Sequence, residues 1–378
     1  MRGYGVSVST DGIPATATVL SDPNDVKLDT FGNLYIVESR YGQIKKVDIS
    51  SGIISNFAGT GLTGLGIDNV LATTSNLGAP VGICFDKKGN LYVSESGGAY
   101  RVRKISPDGI ITTFAGIGGS MGMSGDNGPA TNAQLVFPLG LVADDTGNIY
   151  ISDISGLANR VRKVDTFGII TTVVGNGVGV YSGDGIPATD AQISGGSLAM
   201  DADDNLYIAD KYNKRVYKVG HDGILHNVAG NGATGFSGMG GPATAAPLAE
   251  PVGVTFDRCG NMYIPTASLL LGNRILRVDF DPTCSITGAC GGSLSANIPQ
   301  PSNSIILFPN PVSASVTIRS NEPIEFVSIT NVLGRNVYEN KFSNADIEIP
   351  VSDFKVGIYF VKVTDKDGLV KIFRLIKE

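Results

Sequence analysis

The sequence has no tryptophan and only two histidines, His221 and His226, among its 378 residues. A multi-histidine metal centre needs imidazoles that converge from distant segments, and two neighbours in one stretch supply little of that chemistry. Cysteine is scarce as well: there are four, with no CxxC pair and no Cys/His spacing of a zinc site. Charged residues make up only 17% of the chain. No apolar run reaches the ~18 residues of a membrane-spanning helix. No Gly-x-Ser-x-Gly stands in a strand–helix setting, and the glycine-rich stretches lack the helix and lysine that cradle a phosphate. No catalytic, cofactor-binding or metal-ligating residue is therefore assigned. The net charge of −6 falls on residues 1–300, since residues 301–378 carry nine basic and nine acidic side chains. An acidic body is a poor counter-ion for nucleic acid or anionic lipid, so neither is expected as a partner.

Glycine, by contrast, is abundant: 50 residues, without the three-residue period of collagen. That composition points to many tight turns between short strands. An internal repeat confirms the direction. Asp29…Asn33 recurs as Asp86…Asn90, Asp144…Asn148, Asp201…Asn205 and Asp257…Asn261, with an Asp-to-Asn offset of four in every copy. The Asn-to-Asn steps are 57, 58, 57 and 56 residues, obtained from those numbers. Each repeat begins with Pro-x-Gly or a variant and a short apolar strand such as Val81–Phe85. The Asp-x-x-Gly-Asn turn follows, because Asp bonds its own backbone two residues on and Gly or Asn tolerates positive φ. A Leu-Tyr-Val strand comes next. The third strand alternates charged and apolar residues, as in Arg101–Ile105 and Arg160–Val164, and reads as half-buried. A fourth reads Ile110-Ile111-Thr112-Thr113-Phe114-Ala115. Four antiparallel strands per repeat make a propeller blade. The long loop to the next blade carries Asp11, Asp68, Asp126 or Asp184 before a proline-led helical turn, which the Asp is placed to cap.

This grammar resembles the NHL-repeat propellers, especially bacterial extracellular members, over residues 9–283. The expected fold is all-β: a five-bladed propeller over residues 1–283, with a six-bladed ring that has lost a blade as the alternative. The loss of period and the Gly/Ser/Pro-rich stretch set a linker at residues 284–304. Residues 305–378 read as a small β-sandwich, with strands near 315–319, 325–330, 336–338, 347–349, 358–363 and 370–375. Phe308-Pro309-Asn310-Pro311, Gly334-Arg335, Gly357-Ile358-Tyr359 and the basic end at Lys371 and Lys377 resemble the type A C-terminal sorting domain of the type IX secretion system of Bacteroidota. That resemblance implies export to the outer-membrane surface or beyond, with the secretion machinery as a partner. Such cargo carries an N-terminal signal peptide. Met1–Gly5 shows no apolar segment of that kind, so a truncated start is expected.

Cys284 and Cys290, separated by five residues, suit a local disulfide in an oxidising compartment. Cys84 reads as a buried small hydrophobe. The series Glu38, Glu95, Asp153 and Asp210 follows the second strand of successive blades and precedes Arg101, Arg160 and Arg215 by five to seven residues in three of them. A cation-binding ring is one reading; an ion pair or turn cap within each blade is preferred, because repeated residues usually serve the repeated fold. The two histidines are expected at the outer strand of blade four, away from the channel. The expected function is a surface scaffold that binds an unidentified protein or glycan; a propeller lyase or lactonase with its site at the channel mouth is the alternative.

Overall fold

The computed structural model describes residues 9–156, 158–268, 271–280, 293–295, 305–308, 314–320, 323–331, 334–366, 368 and 370–377. Two compact units divide the chain, Met1–Ala296 and Asn297–Glu378. The first contains five antiparallel blades in sequence order. Blade two is typical: Pro80–Phe85, Leu91–Glu95, Arg101–Ile105 and Ile110–Ala115 pair consecutively, inner to outer. A fifth strand of two residues, Val70–Leu71, pairs the outer edge through Val70 and Leu71 opposite Ile111 and Ile110. Blades one, three and four receive the same cover from Ile13–Pro14, Gly128–Pro129 and Ile186–Pro187. The sequence alone marks these residues only as loop, because the neighbouring outer strand is what extends so short a segment. They blunt an edge that would otherwise invite pairing with other chains.

Each Asp-x-x-Gly-Asn segment is a closed hydrogen-bond unit. Asp86 Oδ1 accepts from the amides of Lys88 and Asn90, both at 2.9 Å, and Oδ2 accepts from Asn90 Nδ2 at 2.7 Å and the Tyr92 hydroxyl at 3.1 Å. Gly89 takes φ +79° to turn the chain. Asp29, Asp144 and Asp257 hold Asn33, Asn148 and Asn261, and the tyrosine two residues beyond, in the same way. Asp201 holds Asn205 at 2.8 Å. Burial raises the carboxyls of Asp29, Asp144 and Asp257, but these hydrogen bonds outweigh it and hold them below the usual value.

Blades pack through one recurrent seam. Tyr35, Val37, Ile44 and Ala58 of blade one lie against Ile83, Leu91, Val93, Ile105 and Ile111 of blade two. Equivalent clusters join blades two and three, three and four, and four and five. The inner strands approach so closely that the Gly of Pro-x-Gly cannot carry a side chain: a Cβ on Gly140 would stand 2.5 Å from the Gly196 carbonyl oxygen.

Because the third strand is sandwiched between blades, its central charged residue is buried rather than half-solvated, while Lys46, Lys104, Arg160 and Lys163 are half-buried as the alternation suggested. Arg103, Arg162 and Lys45 are almost fully buried. They pair with the loop carboxylates: Arg103 with Asp68 at 2.7 Å, Arg162 with Asp126 at 2.6 Å and Lys45 with Asp11 at 3.1 Å. The helical turns form as expected after proline, at Ala130–Asn132 and Ala188–Asp190 for example, but without a side-chain cap. Capping by Asp11, Asp68 and Asp126 is thus corrected: these residues clamp each loop to a buried cation.

Blade five is shorter. Thr255–Phe256, Met262–Thr266 and Arg274–Asp279 pair in order, and Ser293–Ser295 lies parallel to the last of these. Cys284 and Cys290 lie outside the described residues. Cys259, in the turn after the first strand of blade five, is disulfide-bonded. Cys84 is a buried free thiol, its thiol pushed well up by burial.

In the second unit, Ile305–Phe308, Ser315–Ser320 and Asp346–Pro350 form one sheet. Asn336–Lys341, Ile324–Asn331, Gly357–Asp365 and Val370–Lys377 form the other. Alternate residues such as Val316, Ile318, Val327, Ile329, Val361 and Val363 enclose a common core. The all-β class expected from the repeat and the tail is the class observed.

Candidate functional site

The inner strands surround a cavity of about 1090 Å³. Its wall takes residues from all five blades, among them Asp25, Gly82, Gly140, Ser197 and Gly253. The wall is mostly backbone, small side chains and aliphatic carbon, because the closest approach of the inner strands leaves room for little else. Charged and hydrogen-bonding side chains in the lining include Asn24, Lys27, Asn159, Lys211 and Tyr212. Asp25 replaces the glycine of other blades and spends its carboxylate on structure, accepting from the Ile83 amide at 2.9 Å. Among the described residues, no group of three or more His, Cys, Asp or Glu is placed to hold a metal ion.

The Ile154–Asn159 connection and Lys211–Tyr212 also line the cavity, and both follow second strands. The long interblade loops return to the first strand at the same end of each blade. Mouth and loops therefore share one face. The loops carry exposed apolar side chains, Leu62, Leu65 and Ile67, then Met121 and Met123, then Val178 and Val180; Leu65 and Met123 hold matching places, as do Leu62 and Val178. Sequence reading missed this set, because no short motif marks it and exposure of an apolar residue is a tertiary property.

The acids after the second strand do not form a cation ring. All four are buried and committed. Glu95 accepts from the Gly78 amide at 2.8 Å and from Arg101 Nε at 2.5 Å. Glu38 accepts from the Ser21 amide at 2.7 Å and the Ser9 hydroxyl at 2.6 Å. Asp153 accepts from the amides of Val136 and Phe137 at 2.9 and 2.6 Å, and Asp210 from those of Ser194 and Asn213 at 2.8 and 3.0 Å. Each acid fastens the segment that leads into its own blade. The ion pair with the following arginine forms at Glu95 and is replaced by backbone capping at Asp153 and Asp210.

Burial raises the Asp153 and Asp210 carboxyls above their ordinary value, against the pull of these amides and nearby arginines. A carboxyl raised on folding lowers stability above its folded pKa, and that penalty fades as pH falls toward the unfolded value. Asp153→Asn keeps an acceptor oxygen for the amides and removes the charge. Its urea midpoint, measured relative to the parent, should be more favourable at pH 7 than at pH 4. An identical gap at the two pH values would refute the assignment.

His226 lies within the outer strand Ile224–Ala229 of blade four, 3.6 Å from Asp184, and His221 Nε2 lies 2.9 Å from the Asp203 carbonyl oxygen in the preceding turn. Both are remote from the cavity lining.

In the tail, Gly334 has φ +75° and donates to the Asn331 carbonyl, while the Arg335 amide donates to the Asn331 side chain at 3.0 Å. Gly357 opens its strand, Ile358 is partly exposed, and Tyr359 is buried with its hydroxyl donating to the Lys355 carbonyl at 2.8 Å. Lys371 is exposed and its ammonium stands over the Phe373 ring; Lys377 is largely buried. Phe308 ends a strand, and Pro309, Asn310 and Pro311 lie outside the described residues.

Comparison with known proteins agrees with this architecture. Residues 306–378 match the family model of the secretion system C-terminal sorting domain, and residues 118–178 match that of the teneurin NHL domain. Mouse Teneurin-4 is 30% identical over 229 residues, which is 54% of this chain and 8% of that protein. The chain thus spans less than a tenth of that relative. Among solved structures, virginiamycin B lyase from Staphylococcus aureus has a TM-score of 0.43 at 13% identity, with 93% of this chain and 83% of that chain covered. PorZ, a surface component of the type IX secretion system of Porphyromonas gingivalis, has a TM-score of 0.37 at 14% identity, with 94% and 51% covered. Likenesses at this level carry no argument about activity.

Proposed function

We propose that this NHL-type propeller, which carries a sorting tail that directs proteins to secretion or the outer-membrane surface, is a non-catalytic binding scaffold whose partner is a protein held on the loop-bearing face. The observation that carries this reading is the set of exposed apolar side chains on three consecutive interblade loops. Methionine and aliphatic side chains left in water on successive loops favour contact with another apolar surface. The buried carboxylates, which an enzyme would need free, are instead consumed in capping and ion pairing.

A protein and glycan binding array with the full chain tests the proposal, alongside the triple variant Leu62→Lys, Met121→Lys and Val180→Lys. Protein binding should fall at least about tenfold, with little change in melting temperature because all three side chains are exposed. Glycan binding that survives the triple substitution, or turnover of a lyase or lactonase substrate, would overturn it.

A further inference from the structure

The third strand of each blade opens opposite the residue that closes its second strand, so one position can be compared from blade to blade. It holds Arg101, Arg160, Arg215 and Arg274 on blades two to five, opposite Glu95, Asp153, Asp210 and Thr266. On blade two the charge is cancelled: Arg101 is buried and donates to Glu95 at 2.5 Å. On the next three blades it is not. Backbone amides take the Asp153 and Asp210 carboxylates, and Thr266 carries no charge. Arg160 donates to the Ala158 and Asn176 carbonyls at 3.1 and 3.2 Å, and Arg215 to those of Asn213 and Asn231, both at 2.9 Å. These acceptors are neutral. Arg160 and Arg215 are half-buried, Arg274 is exposed, and among the described residues none of the three has an ion pair.

All three guanidiniums rest on interblade loops. Arg160 Nη1 lies 3.2 Å from the Met123 sulfur, while the guanidiniums of Arg215 and Arg274 stand 3.7 and 4.3 Å from the ring centres of Tyr181 and Phe236. Met123, Tyr181 and Phe236 hold one place in the repeat, immediately before Ser124, Ser182 and Ser237. The next loop packs beside two of these cations: a Cβ on Gly177 or Gly232 would stand 3.0 Å from Arg160 Nη2 or 2.5 Å from Arg215 Nη1. A guanidinium fixed in this way loses little freedom on binding, and its planar N–H edge suits a carboxylate. Nearby acids are engaged elsewhere: Asp126 is held by Arg162, Asp184 faces His226 and Glu250 pairs with Lys211.

We propose that Arg160, Arg215 and Arg274 form an anion-reading arc on the loop-bearing face, and that the protein partner presents an acidic segment to it. Apolar side chains of that segment meet Met123, Val178 and Val180. The inference rests on the scaffold reading above and names the partner's chemistry. Charge complementarity selects this occupant. Residues 1–300 carry the whole net charge of −6, so a long polyanion or an anionic bilayer is repelled beyond the arc, whereas a short acidic segment touches the arc alone.

The probes are fluorescein-labelled peptides of one length and one Leu/Ser pattern, with Glu, Gln or Lys at alternate positions. Each is titrated with the full chain by fluorescence anisotropy. At low salt the Glu peptide should bind at least about tenfold tighter than the other two, and most of that lead should vanish near ~0.3 M salt. Arg160→Gln, Arg215→Gln and Arg274→Gln together should abolish the lead and its salt dependence. The matching triple lysine variant keeps the charge and should keep the salt dependence, which a merely structural role for the arginines would not produce. Should the glutamine variant melt more than about 5 °C below the parent, Arg274→Gln alone, at an exposed site, should still cost the Glu peptide about threefold. A Glu peptide that binds no tighter than its Gln counterpart, or a lead that survives the glutamines, overturns the proposal. So does tighter binding of a single-stranded oligonucleotide than of the Glu peptide, which would assign the arc to phosphate. Protein binding that falls with Leu62→Lys, Met121→Lys and Val180→Lys but ignores the glutamines overturns the arc and leaves the scaffold reading standing.

Discussion

Glu95→Ala will lower stability by about 3–5 kcal/mol, the range for removing one partner of a buried ion pair. Glu95 is wholly buried and its carboxylate is shared between the Gly78 amide and Arg101, with Arg103 Nη1 at 3.9 Å. Truncation leaves Arg101 in a buried site without its counter-charge and strips Arg103 of its second acid, while Asp68 remains for the latter. Glu95→Gln should lie between parent and alanine, since it keeps an acceptor for Gly78 but not the charge. Asp68→Ala removes an acid whose side chain is partly exposed, so water can replace it and the loss should be smaller. Urea unfolding followed by tyrosine fluorescence, convenient in a chain without tryptophan, checks the order. A loss below about 1 kcal/mol for Glu95→Ala would mean that water reaches this site, contrary to the burial.

Gly140→Val should cost roughly 3 kcal/mol, the upper end for overpacking. The added Cβ would stand 2.5 Å from the Gly196 carbonyl oxygen and 3.1 Å from the Leu198 amide nitrogen, both backbone atoms that cannot rotate aside. The inner strands of blades three and four must separate, which loosens the wall of the cavity as well as the seam. Gly156→Ala is the matched control: it also lines the cavity, but a Cβ there meets nothing within 4 Å. It should be neutral or slightly stabilising through the unfolded chain. Equal losses for the two substitutions, measured by denaturant midpoint, would show that backbone freedom rather than close approach explains Gly140.

The sequence by itself determined the blade and its number of copies. The Asp–Asn offset is local, and so is the physics that enforces it: one carboxylate collects two amides, a side-chain amide and a hydroxyl within six residues. Strand alternation in the tail is equally local, and it placed six of the seven described strands within a few residues; Ile305–Phe308, ahead of the Pro-Asn-Pro stretch, was missed. Tertiary structure decided what lies between repeats. Arg103 and Arg162 sit in alternating strands that look half-solvated when read alone, yet they lie buried on the face turned to the preceding blade, and a loop carboxylate more than thirty residues upstream neutralises them. The loop carboxylates could be assigned to a cap or to an ion pair only once the loop had folded back over its blade. Ring closure was least legible of all. Whether blade five meets blade one depends on the angle accumulated over four seams, and no residue encodes that sum. It emerges only in the exposure of Val26 and Ile275, two apolar side chains whose counterparts every other blade buries.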